Sequence, residues 1–414
     1  MPQVYKRTHP WNFPVSSPAA QLARRRNTLF AFFLLPGALL AAWITRTPAI
    51  RDALGASLAE MGLVLAGLSV GSMTGLLASG PLIARFGTRP VTQLGMVLII
   101  SSMFTLALAT VLQVLPLASV ALLLFGLGMG GAELAINMEG AEVERISGKI
   151  VLPTLHGCFS VGTVIGALTS LLLIKLQVPV VWHLLAMGVL GALAISPFIN
   201  GLAPGFGRTD KHAKATADDA PRPRLWREPA LLMIAAITLS MTLSEGSAYD
   251  WLPLLMADAY ATGEMTGTLV FLGFATTMAI GRLGSGVLLQ RMDRRSVLVA
   301  SMLMAAAGMA VVVTSQHLLL VVAGVVFWGL GASVAFPLAL SAAAVSGDDS
   351  NARVKLVATG GYLALLVGPP MLGFVANAVG LRGAFAVVLA LVLLALLATP
   401  AVPRSRPGQQ PAAH

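Results

Sequence analysis

The chain has 414 residues, of which 57% are hydrophobic and 11% charged, with a formal net charge of +10. Soluble globular chains carry roughly 25% charged residues, and a mean hydropathy of +0.84 excludes a fold that must cover its apolar surface in water. A single cysteine leaves no disulfide framework and no cysteine-based metal site.

A helix needs about 20 mostly apolar residues to cross a bilayer. Stretches free of Asp, Glu, Lys and Arg run over 27–45, 61–84, 90–132, 150–174, 176–207, 229–244, 265–281, 296–347, 356–381 and 383–403. The window 90–132 holds two helices, divided near Gln113 and Pro116, and 296–347 holds two, divided near Ser315, Gln316 and His317. The expected fold is an all-α polytopic membrane protein with twelve transmembrane helices. The windows 229–244 and 265–281 are short, so the seventh and eighth helices extend past Glu245 and Arg282 and carry charge into the membrane. Pro369–Pro370 after Gly368 is expected to break the eleventh helix.

Lys and Arg concentrate at the cytoplasmic ends of membrane helices. With both termini inside, Arg46, Arg51, Lys175 and Arg382 fall outside and Arg282 lies within a span, which leaves 22 of the 27 basic residues cytoplasmic. The positive charge therefore reads as inner-membrane topology and not as nucleic-acid binding. The Arg24–Arg25–Arg26 cluster is suited to anionic lipid.

Residues 204–227 are rich in Pro, Gly and charge and interrupt the apolar rhythm. They divide the chain into a cytoplasmic tail (1–26), a six-helix bundle (27–203), a flexible cytoplasmic linker (204–227), a second six-helix bundle (228–403) and a cytoplasmic tail (404–414). The halves repeat one another. GPLIARFGTRP at 80–90 returns as GVLLQRMDRRS at 286–296, an offset of 206. FGLGMGGAELAIN from Phe125 returns as WGLGASVAFPLAL from Trp328, an offset of 203. Such duplication places a substrate site at the midplane between halves.

These motifs resemble the major facilitator superfamily, whose loop between the second and third helices reads Gly-x-Leu-Ala-Asp-Arg-x-Gly-Arg-Lys. Gly80, Leu82, Arg85, Gly87 and Arg89 fit it, with Ala84 in the Asp place. Gly286, Leu288, Arg291, Arg294 and Arg295 fit in the second half, with Gln290 there. The resemblance covers roughly 27–403 and implies two pseudo-symmetric six-helix bundles, with Gly80, Arg85, Gly87, Arg89, Gly286, Arg291 and Arg295 acting in conformational change. Trp43 and Arg46, Asn137 with Val143–Glu144, His156-Gly157-x-x-Ser160-x-Gly162, and Glu245-Gly246 before Asp250-Trp251 are similar to the fucose-permease-like branch. That branch pairs acids on helices 1 and 4. Glu133 matches the second, but residues 27–50 contain no Asp or Glu, so fucose itself does not carry over.

Ionisable groups inside spans are expensive and mark function. Glu133 and Asn137 lie one turn apart on the fourth span, and His156, Ser160 and Thr163 form a stripe on the fifth. They read either as substrate or proton handling or as a hydrogen-bond network within one half. Glu133 is the sole acid within the apolar spans of the N-terminal half, and is expected to carry a coupling proton with His156 beside it. Glu245 is its competitor. Glu245 and Asp250 are five apart and do not share a face, while Arg46 is pseudo-equivalent to Asp250 and is expected to meet it in an outer gate. Trp43, Arg46, Asn137, Ser160, Tyr249, Asp250, Trp251 and Tyr362 are the expected lining of the substrate cavity. Arg282 is expected to snorkel or to pair within its own half.

Gly67-Leu-Ser69-Val-Gly71 and Gly126-x-Gly128-x-x-Gly131 mimic enzyme motifs, but those motifs need a strand entering a helix. Gly67, Gly71 and Gly75 instead suit close helix packing. No metal, cofactor or catalytic residue is expected. The expected function is secondary transport of a small solute by alternating access, proton-coupled symport of a sugar-like or other polar metabolite first, by a monomer. A proton-driven exporter of amphiphilic compounds and a transport-inactive sensor or scaffold are the alternatives. The antiporter pattern Gly-Pro-x-x-Gly-Gly is missing from the fifth helix, where 157–168 reads GCFSVGTVIGAL.

Overall fold

In hydrocarbon every backbone N–H and C=O must be satisfied inside the chain, and a helix does this within one segment. A computed structural model describes residues 18–147, 151–209, 225–347 and 349–404, and among these there is no strand. The helices are α1 (Pro18–Ile44), a short α2 (Thr47–Leu54), α3 (Leu58–Phe86), α4 (Thr88–Leu112), α5 (Leu115–Ser147), α6 (Leu152–Lys175) and α7 (Val180–Ile195). The second half holds α8 (Pro229–Tyr260), α9 (Glu264–Arg291), α10 (Arg294–Thr314), α11 (Leu318–Ala332), α12 (Ala335–Ala344) and α13 (Ser350–Leu396).

Local chemistry sets the ends. Ser57 and Glu60 form a reciprocal capping box at the start of α3. Gln113, at φ 58°, stops α4 in the left-handed conformation. Asp293 caps α10 by accepting from the Ser296 N–H, and its bond to the Ser296 hydroxyl holds the carboxyl below its ordinary value.

Among the described residues, ten helical stretches are long and apolar enough to cross a membrane. The last is two spans, because Gly380 (φ 77°, ψ 165°) interrupts α13, and the 16-residue α7 supplies a further crossing. The total among the described residues is twelve. The break falls at Gly380 and not at Pro369–Pro370, through which the helix continues. Packing against neighbouring helices makes a proline in a membrane helix tolerable. Two six-helix bundles result, and the even number of crossings puts both ends of the chain on one side. We call that side the terminal end and the other the distal end.

Within each bundle, small residues let backbones touch. A Cβ on Gly126 of α5 would lie 2.1 Å from the Leu68 carbonyl oxygen of α3, and one on Gly71 would lie 2.2 Å from that of Leu123. The expectation that these glycines serve packing is met.

At the terminal end, Arg25 donates to the fully buried Glu139, which also accepts from the Thr88 hydroxyl. Arg25 lies 4.8 Å over the Phe206 ring. The basic cluster is therefore not uniform: Arg24 and Arg26 are exposed, whereas Arg25 is a buried strut. The first residues of the 204–227 segment are packed and not free. Thr88 N–H donates to Phe206 O at 2.8 Å and Thr209 N–H to Ala84 O at 3.0 Å. The rest of that linker (210–224), the N-terminal tail as far as 17 and the C-terminal tail from 405 lie outside the described residues.

Candidate functional site

The distal end is where the bundles meet most closely. A Cβ on Gly62 of α3 would come within 2.9 Å of both Gly373 Cα and the Pro369 carbonyl oxygen of α13. No side chain fits in that seam. Beside it, the buried Arg46 donates to Val178 O at 3.0 Å within its own bundle and lies 3.7 Å from Glu264 of α9 in the other. Burial pulls the Arg46 guanidinium below its ordinary value, with the Glu264 charge offsetting part of this. Arg51 of α2 donates to Asp258 at the end of α8. The expected partner of Arg46 was Asp250. The carboxylates that face the first bundle are instead Glu264 and Asp258, because Asp250 sits more than two turns before Asp258, deeper along α8.

The terminal end differs. Gly80 and Gly286, the equivalent glycines of the repeated loop motif, border open space: a Cβ on either would have no neighbouring atom within 4 Å. Arg85 and Arg291 are exposed, while Arg89 is held by Asn200 of its own bundle and Arg295 is half-buried. Gly87 (φ 90°) makes the turn between α3 and α4.

Between the two ends lies a set of charged side chains that is accessible yet deep in protein. Glu133 lies on α5 and Tyr362 on α13, in opposite bundles. His156 lies on α6 and Arg282 on α9, again in opposite bundles. Arg282 donates to Glu245 of α8 at 2.6 Å, so it pairs within its own half. Glu133, His156, Arg282 and Tyr362 are all exposed, and Glu245, Asn137 and Ser160 are half-buried. Tyr249 has its ring edge-on to Phe271 and Phe274 at 5.8 Å each. The imidazole of His156 stands 5.1 Å from the Phe33 ring, so an aromatic contact accompanies the polar stripe of α6.

Two expected cavity residues are in the core instead. Trp43 is 1% and Trp251 0% exposed, and Trp43 packs edge-on against Phe125 at 6.3 Å. They are large apolar rings at helix positions that face neighbouring helices, so packing claims them in this conformation. Asp250, 9% exposed, lines a small cavity between α8 and α13. Glu264, Asp258 and the Trp328 indole, which donates to Ser244 at 2.8 Å, were not singled out from sequence. The first two carried a signal: they are acids at the α8–α9 turn, opposite Arg46 just before α2 and Arg51 within it.

Two helical bundles clasped at one end around accessible charged groups define a polytopic membrane transport protein. The chain belongs to the Major Facilitator Superfamily, whose family model matches residues 4–143 and 251–414. An uncharacterised transporter of Sinorhizobium fredii is 31% identical over 370 residues, covering 89% of this chain and 96% of the relative. An uncharacterised MFS-type transporter of Yersinia pestis is 29% identical over 388 residues, 92% and 97% of the two chains. Membrane protein MosC of Rhizobium meliloti is 25% identical over 413 residues, 99% and 97%. Among solved structures, a mutant of the nucleoside transporter NupG superposes with a TM-score of 0.73 at 14% identity, covering 91% of this chain and 99% of that one. A bacterial homologue of the lysosomal transporter Spinster, inward-facing and unoccupied, gives 0.71 at 12% identity, covering 94% and 98%. Both share the fold. The protein is thus a multi-pass secondary transporter that handles small molecules, and not an enzyme.

Proposed function

We propose that the protein is a proton-coupled symporter of a small polar, sugar-like metabolite, working as a monomer in the inner membrane with its termini and the 204–227 linker in the cytoplasm. The single observation that carries this reading is Glu133: an acid on a membrane-spanning helix, reachable from solvent and with no ion pair among the described residues. An unpaired acid on a spanning helix that lines the accessible space is placed to link its protonation to the rearrangement of the bundles. The closed distal seam and the open glycines of the terminal end support an inward-facing state under that topology. Motif residues around His156 and Glu245–Gly246 support kinship with the fucose-permease-like branch.

Uptake into proteoliposomes under an imposed proton gradient tests the reading. Solute accumulation with inward proton flow is the expected result. Outward solute movement against inward proton flow would assign an exporter, and no movement of any solute in a broad panel would assign a sensor. A cysteine at Ala217 should react with an impermeant reagent only after cells are permeabilised; labelling in intact cells overturns the topology.

A further inference from the structure

We infer that Gly205–Thr209, at the start of the segment between the bundles, is a strap that caps the α3–α4 turn from outside and makes the linker part of the repeated loop motif. The inference goes beyond the symport reading and holds for any solute or coupling ion.

The turn needs an outside cap. A helix leaves its last carbonyls and its first N–H groups without partners. In the second half the matching turn provides for itself: Asp293, in extended backbone (φ −70°, ψ 153°), accepts from the Ser296 N–H at 3.2 Å at the start of α10. The offset of 206 that pairs Gly80 with Gly286 puts Gly87 in the place of Asp293. Gly87 stands at φ 90°, ψ 169°, a conformation essentially confined to glycine, and it has no side chain to cap with. The strap supplies what is missing. The Phe206 carbonyl accepts from the N–H of Thr88, the first residue of α4, at 2.8 Å, and the Thr209 N–H donates to the Ala84 carbonyl near the end of α3 at 3.0 Å. Ala84 holds the Asp place of the loop motif, so a main-chain bond from the linker stands at the position where the motif carries a side-chain charge.

The seat of the strap is specific. Gly207 (φ 82°) turns the chain after Phe206, and a Cβ there would come within 2.8 Å of Ile83 Cγ2. The half-buried Phe206 ring lies under the Arg25 guanidinium, which is itself fixed by Glu139, and Glu139 accepts from the Thr88 hydroxyl. Upstream, Gln93 donates to Ile199 O at 2.9 Å and Arg89 to Asn200. The chain leaving α7 therefore runs along α4 from Gln93 to Thr88 and on to Ala84 of α3. All of these partners belong to the first bundle, so rocking of one bundle against the other does not require them to part. The strap moves with the first bundle, and that rigid body extends at least to Thr209, past the expected boundary at 203.

Amide hydrogen exchange of the purified full-length protein in detergent tests the cap, read on peptides covering 84–90 and 204–209. Both should be protected in the wild type. Gly207→Ala, which drives a methyl into Ile83, should speed exchange in both segments together by about fivefold or more, the size of a lost helix cap, and leave the α9–α10 turn at 292–296 unchanged. Phe206→Ala, which removes only the ring beneath Arg25, should act in the same direction and serves if Gly207→Ala fails to fold. Asp293→Ala should do the reverse and speed exchange at 292–296 alone. Spin labels at the exposed Thr209 and Val111, in a protein with Cys158 replaced by Ser, should give a single narrow distance population. Exchange of 204–209 at the rate of an unstructured peptide in the wild type, or variants that loosen 204–209 and leave 84–90 protected, would overturn the cap. Two distance populations would show a strap that lifts off and would overturn its place in the first bundle.

Discussion

Arg51 and Asp258, 207 residues apart in sequence, are joined by a hydrogen-bonded ion pair that ties the helix after the first span to the end of the seventh. With Arg46–Glu264 beside it, this makes two charge contacts between the bundles at one end of the molecule. Both pairs are partly accessible, so each is worth up to about 1 kcal/mol. That suffices to bias an equilibrium between two conformations without locking it.

Arg51→Ala and Asp258→Ala should therefore each shift the population towards distal opening by a factor of about 2–5. The distance between spin labels at Ala56 and Gly263, in a protein with Cys158 replaced by Ser, reads the shift. Identical distance distributions in wild type and both variants would remove the gate role. Arg46→Ala should act in the same direction, because it frees Glu264 and Val178 together.

Glu133→Gln should abolish accumulation of solute against a gradient and leave solute exchange intact, since the amide keeps the shape of the acid but cannot release a proton. Glu245→Gln should instead lower thermal stability, because it leaves Arg282 without its 2.6 Å partner. Accumulation that survives in the first variant and fails in the second would move the proton site to α8.

The Arg25–Glu139–Thr88 node predicts a stability difference with no direct part in transport. Glu139 is fully buried, and Arg25 is 11% exposed at its side chain. Glu139→Ala strands a buried guanidinium and should cost about 3–5 kcal/mol. Arg89→Ala breaks a contact to Asn200 at the surface and should cost under about 1 kcal/mol. Thermal unfolding of the two variants side by side is the check, and equal losses would show that the node is not a buried strut.

Two glycines should respond oppositely to one added methyl. Gly126→Ala pushes into the Leu68 carbonyl and should destabilise by about 1–3 kcal/mol through overpacking. Gly80→Ala meets open space and should leave stability within about 0.5 kcal/mol. Slowed transport in a stable Gly80→Ala protein would be the mark of a contact made only in the other conformation.

Much of the architecture was legible in the chain. The breaks at Gln113 and at Ser315–His317, the extension of α8 past Glu245 and of α9 past Arg282, and the glycine stripe of α3 all follow from local rules: charge cannot enter hydrocarbon cheaply, and helix ends need caps or turns. Where local rules compete, sequence misplaced the feature. Pro369–Pro370 looked like a break, but neighbouring helices support the chain there, and the real interruption is Gly380, which reaches φ 77° at no steric penalty. Arg24–Arg26 looked uniform, yet only Arg25 turns inward to a carboxylate 114 residues away.

The site was legible as a list of unusual residues but not as a set of partners. Sequence by itself determined that the chain spans a membrane in two repeated halves and which few interior positions are charged, because hydrophobicity and duplication are written residue by residue. Only the tertiary structure decided which charge meets which. Arg46 faces Glu264, Arg282 holds Glu245, Trp43 and Trp251 are core, and Asp250 has no ion pair among the described residues. The reason is physical: pairing depends on helix rotation and depth, which are set by backbone contacts such as Gly62 on Gly373, and no spacing along one helix encodes the rotation of another.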